Sequence, residues 1–305
     1  MRQPFLRYIT GDAGHVERLY IAVKIAQEFP DRAALQREVL SERRFDSGTN
    51  AKFKGITKPR SFEPHQALAR ELDILERGER WRITAAIGKP FITLWEKEKT
   101  ITRFLLLAQF LRYDRAFSIP FLKEYLTGRE KPAEIVAEIW KDLWKYFPRE
   151  MELTEPPLPR ELRREDGQLK RTCNHHAMFR LRFLTKKEGL YLDSGQVSRI
   201  IAAFEDYRNP VFPSDYYSKI GFIFTGEKCS IEKSGDHIDD IQEYHKSYQS
   251  HGYASAAAVF HHINAEILPR KSLNWEEFLE YLRRNKTFSL SPSSKSDDML
   301  FTLTG

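Results

Sequence analysis

The side chains best suited to chemistry in this sequence are clustered cations that could bind the phosphates of a nucleic acid. The first cluster surrounds a leucine-rich segment, and Phe53 and Phe62 are interleaved with its basic residues. Its candidate contact residues are Lys52, Lys54, Lys58, Arg60, His65, Gln66, Arg70, Arg80, Arg82 and Lys89. Cations beside phosphates release counterions and strengthen binding at modest salt, while glutamine suits adenine and arginine suits guanine. The cluster therefore predicts a DNA-contacting surface; the alternative, equally common for a charged run beside a helix, is a solvated face.

A second cluster of cations begins at Arg163 and ends in a predicted helix. Its candidate DNA contacts are Arg171, Asn174, His175 and Arg180. The amide dipole at a helix start favours anions, so cations and polar groups at that point suit phosphate binding. The alternative is that His175 and its neighbour His176 cap or line the helix without touching DNA, which is the commoner situation for a single histidine. A smaller third patch comprises Arg283, Arg284 and Lys286, with Lys295 in a closing loop.

Carboxylates and imidazoles crowd one short segment and suggest a metal site. The set comprises Asp236, His237, Asp239, Asp240, Glu243 and His245. Helical spacing places Asp236, Asp240 and Glu243 near one face, and nucleases hold magnesium with carboxylates. The simpler interpretation is an acidic first turn that complements the helix dipole. We therefore expect no metal and no cofactor.

Sequence motifs for catalysis are absent. The chain contains no Gly-Lys-Ser or Gly-Lys-Thr phosphate loop, no GxGxxG, no GxSxG and no HExxH. Cys173 and Cys229 lie far apart without CxxC spacing, so we expect both to be reduced. His261 and His262 are adjacent and would point in different directions on a helix, so they would not share one ion. We expect a chain without a catalytic site of its own, and the sequence leaves the enzyme question open.

Helical spacing of apolar residues predicts the elements that position the first cluster. They are helices over His15–Phe29, Ala33–Leu40 and Pro64–Leu75, then extended segments at Trp81–Thr84 and Gly88–Phe91. Three helices followed by a small hairpin are the layout of a winged helix. In that fold the third helix enters the major groove and the hairpin touches the backbone or the minor groove.

The residues themselves carry a family resemblance in the first quarter of the chain. The segment Leu-Ala-Arg-Glu-Leu-Asp-Ile-Leu at 68–75, followed by Trp-Arg-Ile-Thr at 81–84 and Gly-Lys at 88–89, resembles the recognition helix and wing of many prokaryotic winged-helix proteins. The resemblance implies duplex DNA binding through the third helix and the hairpin.

Comparable patterns follow along the rest of the chain. Central helices are predicted over Thr100–Leu111, Pro120–Leu126, Pro132–Phe147 and Thr172–Thr185, with a Gly-Leu-Tyr-Leu strand at 189–192. C-terminal helices are predicted over Ile238–Gln249, Ala254–Ile267 and Trp275–Arg284, the last capped by Asn274, and strands at Thr287–Leu290 and Leu300–Thr304. A leucine-ended helix before a short strand recurs at 72–84, 181–192 and 279–290, which suggests an internal repeat.

The composition bounds the class of protein. Of 305 residues, 41% are hydrophobic and 30% are charged, as in an ordinary globular protein. The net charge of +6 favours a polyanion only if the excess is clustered on one face. The sequence shows neither a signal peptide nor a membrane span, so we expect a cytoplasmic protein with no membrane partner.

These patterns together predict a mainly α fold of tandem winged-helix modules, which are three-helix bundles with small β-hairpin wings. The predicted domains are an N-terminal winged helix at 1–97, a central helical domain at 98–225 that would also be a winged helix, and a C-terminal winged-helix-like domain at 226–305. We expect a non-catalytic double-stranded DNA-binding protein, acting as a regulator or as the recognition or loading subunit of a larger DNA-processing or genome-defence complex. A protein partner or a homo-oligomer is also expected. The alternatives are a protein-interaction scaffold without DNA contact and a metal-dependent nuclease subunit.

Overall fold

The protein was analysed as a computed structural model that describes residues 6, 11–28, 59–78, 81–128, 132–146, 168–207, 214–293 and 298–304. This described part is mainly helical, which confirms the predicted fold class at that level. None of the described helices combines the length and the apolar character that a membrane crossing requires. The predicted helix at 33–40 lies outside the described residues.

The helices and strands are numbered here in chain order. The helices are α1 Val16–Glu28, α2 Pro59–Glu71, α3 Gly88–Lys97, α4 Lys99–Leu126, α5 Pro132–Tyr146, α6 Gln168–Thr185, α7 Ser194–Ala203, α8 Tyr216–Thr225, α9 Ile238–Tyr248, α10 Ala256–Ile267 and α11 Trp275–Arg284. The strands are β1 Ser230–Glu232, β2 Ala254–Ser255, β3 Lys271–Leu273, β4 Phe288–Pro292 and β5 Met299–Leu303. Short 3-10 turns occupy Gly11–Gly14 and Ser234–His237.

The chain divides into two compact units, each made of two separate stretches of sequence. Unit 1 comprises Met1–Leu72 with Gln109–Val211, and unit 2 comprises Asp73–Ala108 with Phe212–Gly305. The three domains expected at 1–97, 98–225 and 226–305 are consecutive stretches of sequence, and neither unit coincides with one of them.

Unit 1 is built from packed helices. Within it α1 packs on α2, α5 packs on α6, and the 3-10 turn at 11–14 packs on α6. Gly14 permits this last approach, because a Cβ at Gly14 would lie 2.9 Å from the side chain of Arg182. The helix predicted over His15–Phe29 is confirmed as α1 to within one residue at each end, and its apolar residues Leu19, Val23 and Ala26 are fully buried.

Helix α4 corrects the prediction of separate helices at 100–111 and 120–126, which are parts of one helix. Pro120 lies inside α4, although proline lacks the amide hydrogen that a helix interior uses. Phe117 and Phe121, on either side of this proline, are both fully buried. Burial of these aromatic rings favours continuation of the helix despite the proline.

The part of the predicted wing at 88–91 is wrong, because these residues belong to helix α3. Leu75 and Ile83 form only an isolated antiparallel bridge, and Gly88 is the first residue of α3. Thr84 precedes that helix and is bonded to its first turn: its Oγ1 accepts from the Gly88 amide at 2.9 Å, and its carbonyl accepts from the Lys89 amide at 3.0 Å. A hydrogen-bonded threonine before a helical apolar stripe favours a helix start over a hairpin.

The strand predicted at 189–192 is also wrong, because this segment turns back on the end of α6. The Leu190 amide donates to the Phe183 carbonyl at 2.6 Å, and the Leu192 amide donates to the Leu184 carbonyl at 2.8 Å. These bonds satisfy carbonyls that a helix end leaves unpaired. Asp193 then begins α7 with a capping box that includes Gln196.

The C-terminal part of unit 2 combines helices α9, α10 and α11 with two small sheets. Strands β2, β4 and β5 form an antiparallel sheet in the order β2-β5-β4, and β1 pairs in parallel with β3. The predicted helix over Trp275–Arg284 is confirmed at both ends, and the Oδ1 atom of Asn274 accepts from the Glu277 amide at 3.1 Å. The two C-terminal strands are confirmed as a hairpin, with Phe288 opposite Leu303 and Leu290 opposite Phe301.

Candidate nucleic-acid interface

The described members of the first basic cluster lie at very different depths. His65 and Gln66 lie on the buried side of α2, with exposed fractions of 0% and 4%. Arg70 is half-buried, and burial lowers the pKa of its guanidinium. Arg82 is exposed. Because a side chain without solvent access does not meet a base edge in a groove, His65 and Gln66 take no part in the interface proposed below.

Part of the predicted contact set lies outside the described residues. These are Lys52, Lys54, Lys58 and Arg80, together with the side chains of Arg60 and Arg171, whose backbones belong to α2 and α6. Their role in DNA contact stays a prediction.

Lys89 has a structural contact inside unit 2. Its Nζ atom donates to the carbonyl oxygen of Tyr248 at 3.0 Å, and the lysine is half-buried. This carbonyl belongs to the last residue of α9, where cations complement the helix dipole. Lys89 therefore ties α3 to the end of α9.

Helix α6 buries the leucines Leu181 and Leu184, together with Phe179 and Phe183. Met178 of the same helix is 44% exposed. Among the predicted DNA contacts on this helix, His175 is exposed and Asn174 is half-buried. Arg180 is fully buried.

Arg180 forms an ion pair in the core of unit 1. Its Nη2 and Nε atoms donate to the two carboxylate oxygens of Asp114 at 2.7 and 2.8 Å. The Leu6 amide donates to Asp114 at 2.9 Å, and the guanidinium carbon lies 3.6 Å from the centre of the Phe117 ring. Such bidentate pairing suits arginine and carboxylate. Arg180 therefore holds α6 to α4 and is not available to a phosphate.

Burial dominates the electrostatics of this pair. Burial raises the pKa of Asp114, and the charge and hydrogen bonds of Arg180 oppose that shift. Burial also lowers the pKa of His176 to about 3, assisted by the charges of Arg180 and His175. His176 packs between the rings of Phe117 and Trp140. The alternative interpretation of this histidine, as a group that lines the helix, therefore agrees with its position.

One histidine of the segment between 232 and 245 lies against two carboxylates. His237 Nδ1 lies 2.9 Å from an oxygen of Asp240, and His237 Nε2 lies 3.0 Å from an oxygen of Glu232. A hydrogen bond from Lys271 lowers the pKa of Glu232, with a smaller contribution from His237. His245 points elsewhere, toward the carbonyl of Phe301. In the described part of the chain, no group of three or more such side chains is arranged to hold a metal ion.

A polar network around Glu266 in unit 2 has no counterpart among the sequence predictions. Glu266 accepts hydrogen bonds from Lys97 and Tyr244, and His262 Nε2 lies 3.3 Å from its carboxylate. Burial raises the pKa of Glu266, but the bonds from His262, Lys97 and Tyr244 outweigh burial and lower it to about 2. His262 Nδ1 is hydrogen bonded to Tyr248.

This network could be found only in part from the sequence. The spacing of His262 and Glu266, four residues apart on one helix, is the signal that was available. Residue His261 bonds instead to the hydroxyls of Tyr216 and Tyr217, so the two neighbouring histidines do face different groups.

The third basic patch lies at the junction of α11 and the hairpin, and we call Arg283, Arg284 and Lys286 the junction patch. The side chains of Arg283 and Arg284 are 53% and 80% exposed, and Lys286 is exposed. Both arginines pair with Glu280, at 3.7 and 2.6 Å. Exposed pairs of this kind contribute little stability, so Glu280 holds the two arginines only weakly.

Hydrogen bonds and one ring contact hold the junction of α11 and the hairpin in place. The Phe288 amide donates to the Asn285 carbonyl at 3.1 Å, and the Thr287 amide donates to the Asn285 side chain at 2.9 Å. The ring of Tyr281 contacts that of Phe288, and the Thr304 amide donates to the Thr287 carbonyl at 2.8 Å. The three cations therefore sit on a fixed corner between a helix end and a sheet edge.

Helix α11 presents three different sides. Phe278 and Leu282 are fully buried in the core of unit 2. The side with Glu277 and Tyr281 contacts the turn at 234–237, because Glu277 accepts from the Ser234 amide at 3.2 Å, although Glu277 itself stays exposed. The remaining, open side carries Glu276 and Glu280 in its first turns, and Arg283 and Arg284 in its last turn.

Comparison of the chain with known proteins found no matching family model, no similar curated protein and no similar solved structure.

Proposed function

We propose that the chain binds double-stranded DNA, without a catalytic step of its own, through a winged-helix module formed by residues 238–304. The observation that carries this proposal is the element order helix, strand, helix, short strand, helix and hairpin, in which strands pair in the order β2-β5-β4 and the short strand β3 pairs outside this sheet with β1. In a winged helix the first strand likewise pairs with the strand that closes the hairpin. The helix before the hairpin, here α11, is then the one nearest to the duplex.

The charge distribution around that helix supports the proposal. The junction patch places three exposed cations where the last turn of α11 meets the hairpin. Strand β4 adds the exposed hydroxyl of Ser289, a further donor for phosphate oxygens. Phosphate contacts of this kind fix a protein on the duplex.

The remaining modules are proposed on weaker support. The described part of residues 1–97 supplies α1 and α2, but residues 75–83 form a bridge instead of a hairpin. Arg82 and His175 keep their proposed role as additional phosphate contacts, because they are exposed. A tandem arrangement over 1–97, 98–225 and 226–305 would make the chain a regulator, or the recognition or loading subunit of a DNA-processing or genome-defence complex.

Charge reversal tests the proposal directly. In fluorescence anisotropy with a labelled 25-bp duplex, the triple variant R283E/R284E/K286E should bind at least tenfold more weakly than the unchanged chain. The control variant K186E/K187E reverses two exposed lysines of unit 1 and should change the affinity by less than threefold. Equal affinities of the triple variant and the unchanged chain would contradict the proposal.

A protein-docking role is the second candidate, because Glu276 and Glu280 on the open side of α11 favour a basic protein over DNA. Winged-helix modules also serve as docking modules. The two roles are separated by the unchanged chain itself. If it shows no duplex binding at low salt, docking through α11 is the better account.

A further inference from the structure

The open side of α11 carries the wrong charge for reading bases. In the helix-turn-helix mode, the first turns of the recognition helix enter the major groove between two rows of phosphates. Here those turns present Glu276 and Glu280, and a carboxylate beside phosphates is repelled. The cations lie only at the opposite end of the helix, at Arg283 and Arg284.

The other polar groups of the first turn are already committed to bonds within unit 2. The side chain of Asn274 accepts from the Glu277 amide at 3.1 Å. The carboxylate of Glu277 accepts from the Ser234 amide and is also bonded to the Ser234 hydroxyl. Tyr281, one turn later, lies against Gly235, where an added Cβ would be 3.3 Å from the ring. A base edge would have to break these contacts to bind Asn274, Glu277 or Tyr281.

We propose that this module binds the phosphate backbone of DNA through the junction patch and does not distinguish one base sequence from another. This inference rests on the duplex binding proposed above. The helix end and the hairpin edge meet one backbone strand, while the acidic start of α11 stays outside the groove. Base contacts are what specify sequence, and phosphate contacts carry no such information. The class of ligand is therefore duplex DNA of any sequence.

The test measures the affinity of the full chain for duplexes of equal length and unrelated sequence. Competition of a labelled 25-bp duplex by unlabelled duplexes, from A·T-rich to G·C-rich and including a random pool, should give inhibition constants within about threefold of one another. Sequence-specific proteins prefer their site by roughly 10³-fold or more. Enrichment of one sequence by more than tenfold, in repeated selection from the random pool, would overturn the inference and leave duplex binding intact. Absence of binding to every duplex would instead remove the proposed function, and the inference with it.

Glu276→Gln supplies a second measurement on the same duplexes. If Glu276 stays outside the groove, removal of its charge should tighten binding to every duplex by the same small factor, at most about threefold. A carboxylate that reads cytosine would behave differently, because the amino group of cytosine donates a hydrogen bond to glutamate or aspartate. Loss of affinity for G·C-rich duplexes alone in this variant would overturn the inference, even if the triple variant still binds weakly.

Discussion

Arg180 illustrates how burial changes the role of a residue type that, on a surface, would suit phosphate binding. The side chains of Arg180 and Asp114 contact each other and are shielded from water, with exposed fractions of 0%. Replacing one partner leaves a buried, unpaired charge, which typically costs roughly 3–5 kcal/mol. We therefore expect Arg180→Met to lower the free energy of unfolding by about that amount in urea denaturation.

The double variant D114N/R180M is the matched control for this loss. It removes both charges and should regain a large part of the stability, because no buried charge remains. A single variant that loses less than about 1 kcal/mol would show that Arg180 is not buried as described.

His176 makes unit 1 sensitive to acid. Its pKa is held at about 3 in the folded chain by burial and by Arg180, whereas an unfolded histidine titrates near 6.5. Between these values the unfolded state binds more protons, so stability rises with pH and is lost as the pH falls below 6.5. From pH 7 to pH 5 this one group should cost about 2 kcal/mol of unfolding free energy.

Chemical denaturation of His176→Gln at both pH values measures this contribution. The variant should lose about 2 kcal/mol less than the unchanged chain on acidification. His175→Gln, which changes the exposed neighbour, should keep the slope of the unchanged chain. Identical slopes for the unchanged chain and His176→Gln would contradict the prediction.

Residue types alone identified cations and polar groups but not their surroundings. Arg180 finds its carboxylate 66 positions earlier in the chain. No local spacing contains that partner, so a buried ion pair and a phosphate contact look alike in the sequence. Lys89 is similar, because its acceptor is a backbone carbonyl that only the fold brings near.

Among the elements, the hairpin depends on one half-buried carboxylate, that of Asp298. Asp298 accepts from the Met299 amide at 2.8 Å and from the Ala257 amide at 3.2 Å, and it is bonded to the hydroxyl of Ser255. Burial raises the pKa of Asp298, while these bonds oppose the shift. The carboxylate thereby anchors the start of β5 to the N-terminus of α10.

Asp298→Ala should therefore loosen the hairpin. We expect a loss of about 1–3 kcal/mol in unfolding free energy and faster hydrogen exchange of the β4 and β5 amides. Asp239→Ala, an exposed aspartate in the first turn of α9, is the control and should cost less than about 1 kcal/mol. Unchanged exchange in the Asp298 variant would mean that the hairpin is held by its strand pairing alone.

Gly88 marks the element that the sequence patterns misjudged. A Cβ at this position would lie 2.3 Å from the Ile74 carbonyl and 2.5 Å from the Ile83 side chain. Gly88→Ala should lower the free energy of unfolding by roughly 1–3 kcal/mol, because the bridge and α3 must move apart. Gly195→Ala, near the start of α7, meets only the side chains of Asp193 and Arg199 and should change stability by less than about 1 kcal/mol. Full tolerance at Gly88 would contradict this packing.

Apolar periodicity predicted most helices because burial itself repeats with the helical turn. The predicted α11 matches the structure at both ends, since an N-cap and a buried stripe define it locally. The extended segments at 88–91 and 189–192 failed for a different reason. There Thr84 and the end of α6 supply backbone partners that short glycine-containing runs do not reveal.

For the whole molecule, the modest net charge of +6 makes the location of the cations decisive. Reversing three cations changes the net charge by six, so R283E/R284E/K286E and K52E/K54E/K58E both reduce the formal charge from +6 to zero. Any difference between these variants therefore reflects where the charges lie. This comparison also decides whether Lys52, Lys54 and Lys58 of the first basic cluster, which lie outside the described residues, take part in binding.

The salt dependence of duplex affinity gives that comparison a quantitative form. Each phosphate contact contributes about 0.9 to the slope of log affinity against log salt concentration. If the junction patch makes three contacts, R283E/R284E/K286E should reduce that slope by about three relative to the unchanged chain. The slopes are measured by anisotropy between about 50 and 200 mM salt, where a change of this size in the affinity can be resolved. If the first cluster also contacts DNA, K52E/K54E/K58E should reduce it by a similar amount. An unchanged slope in the junction variant, with a reduced slope in the other, would place the interface at the N-terminal cluster, because net charge is the same in both.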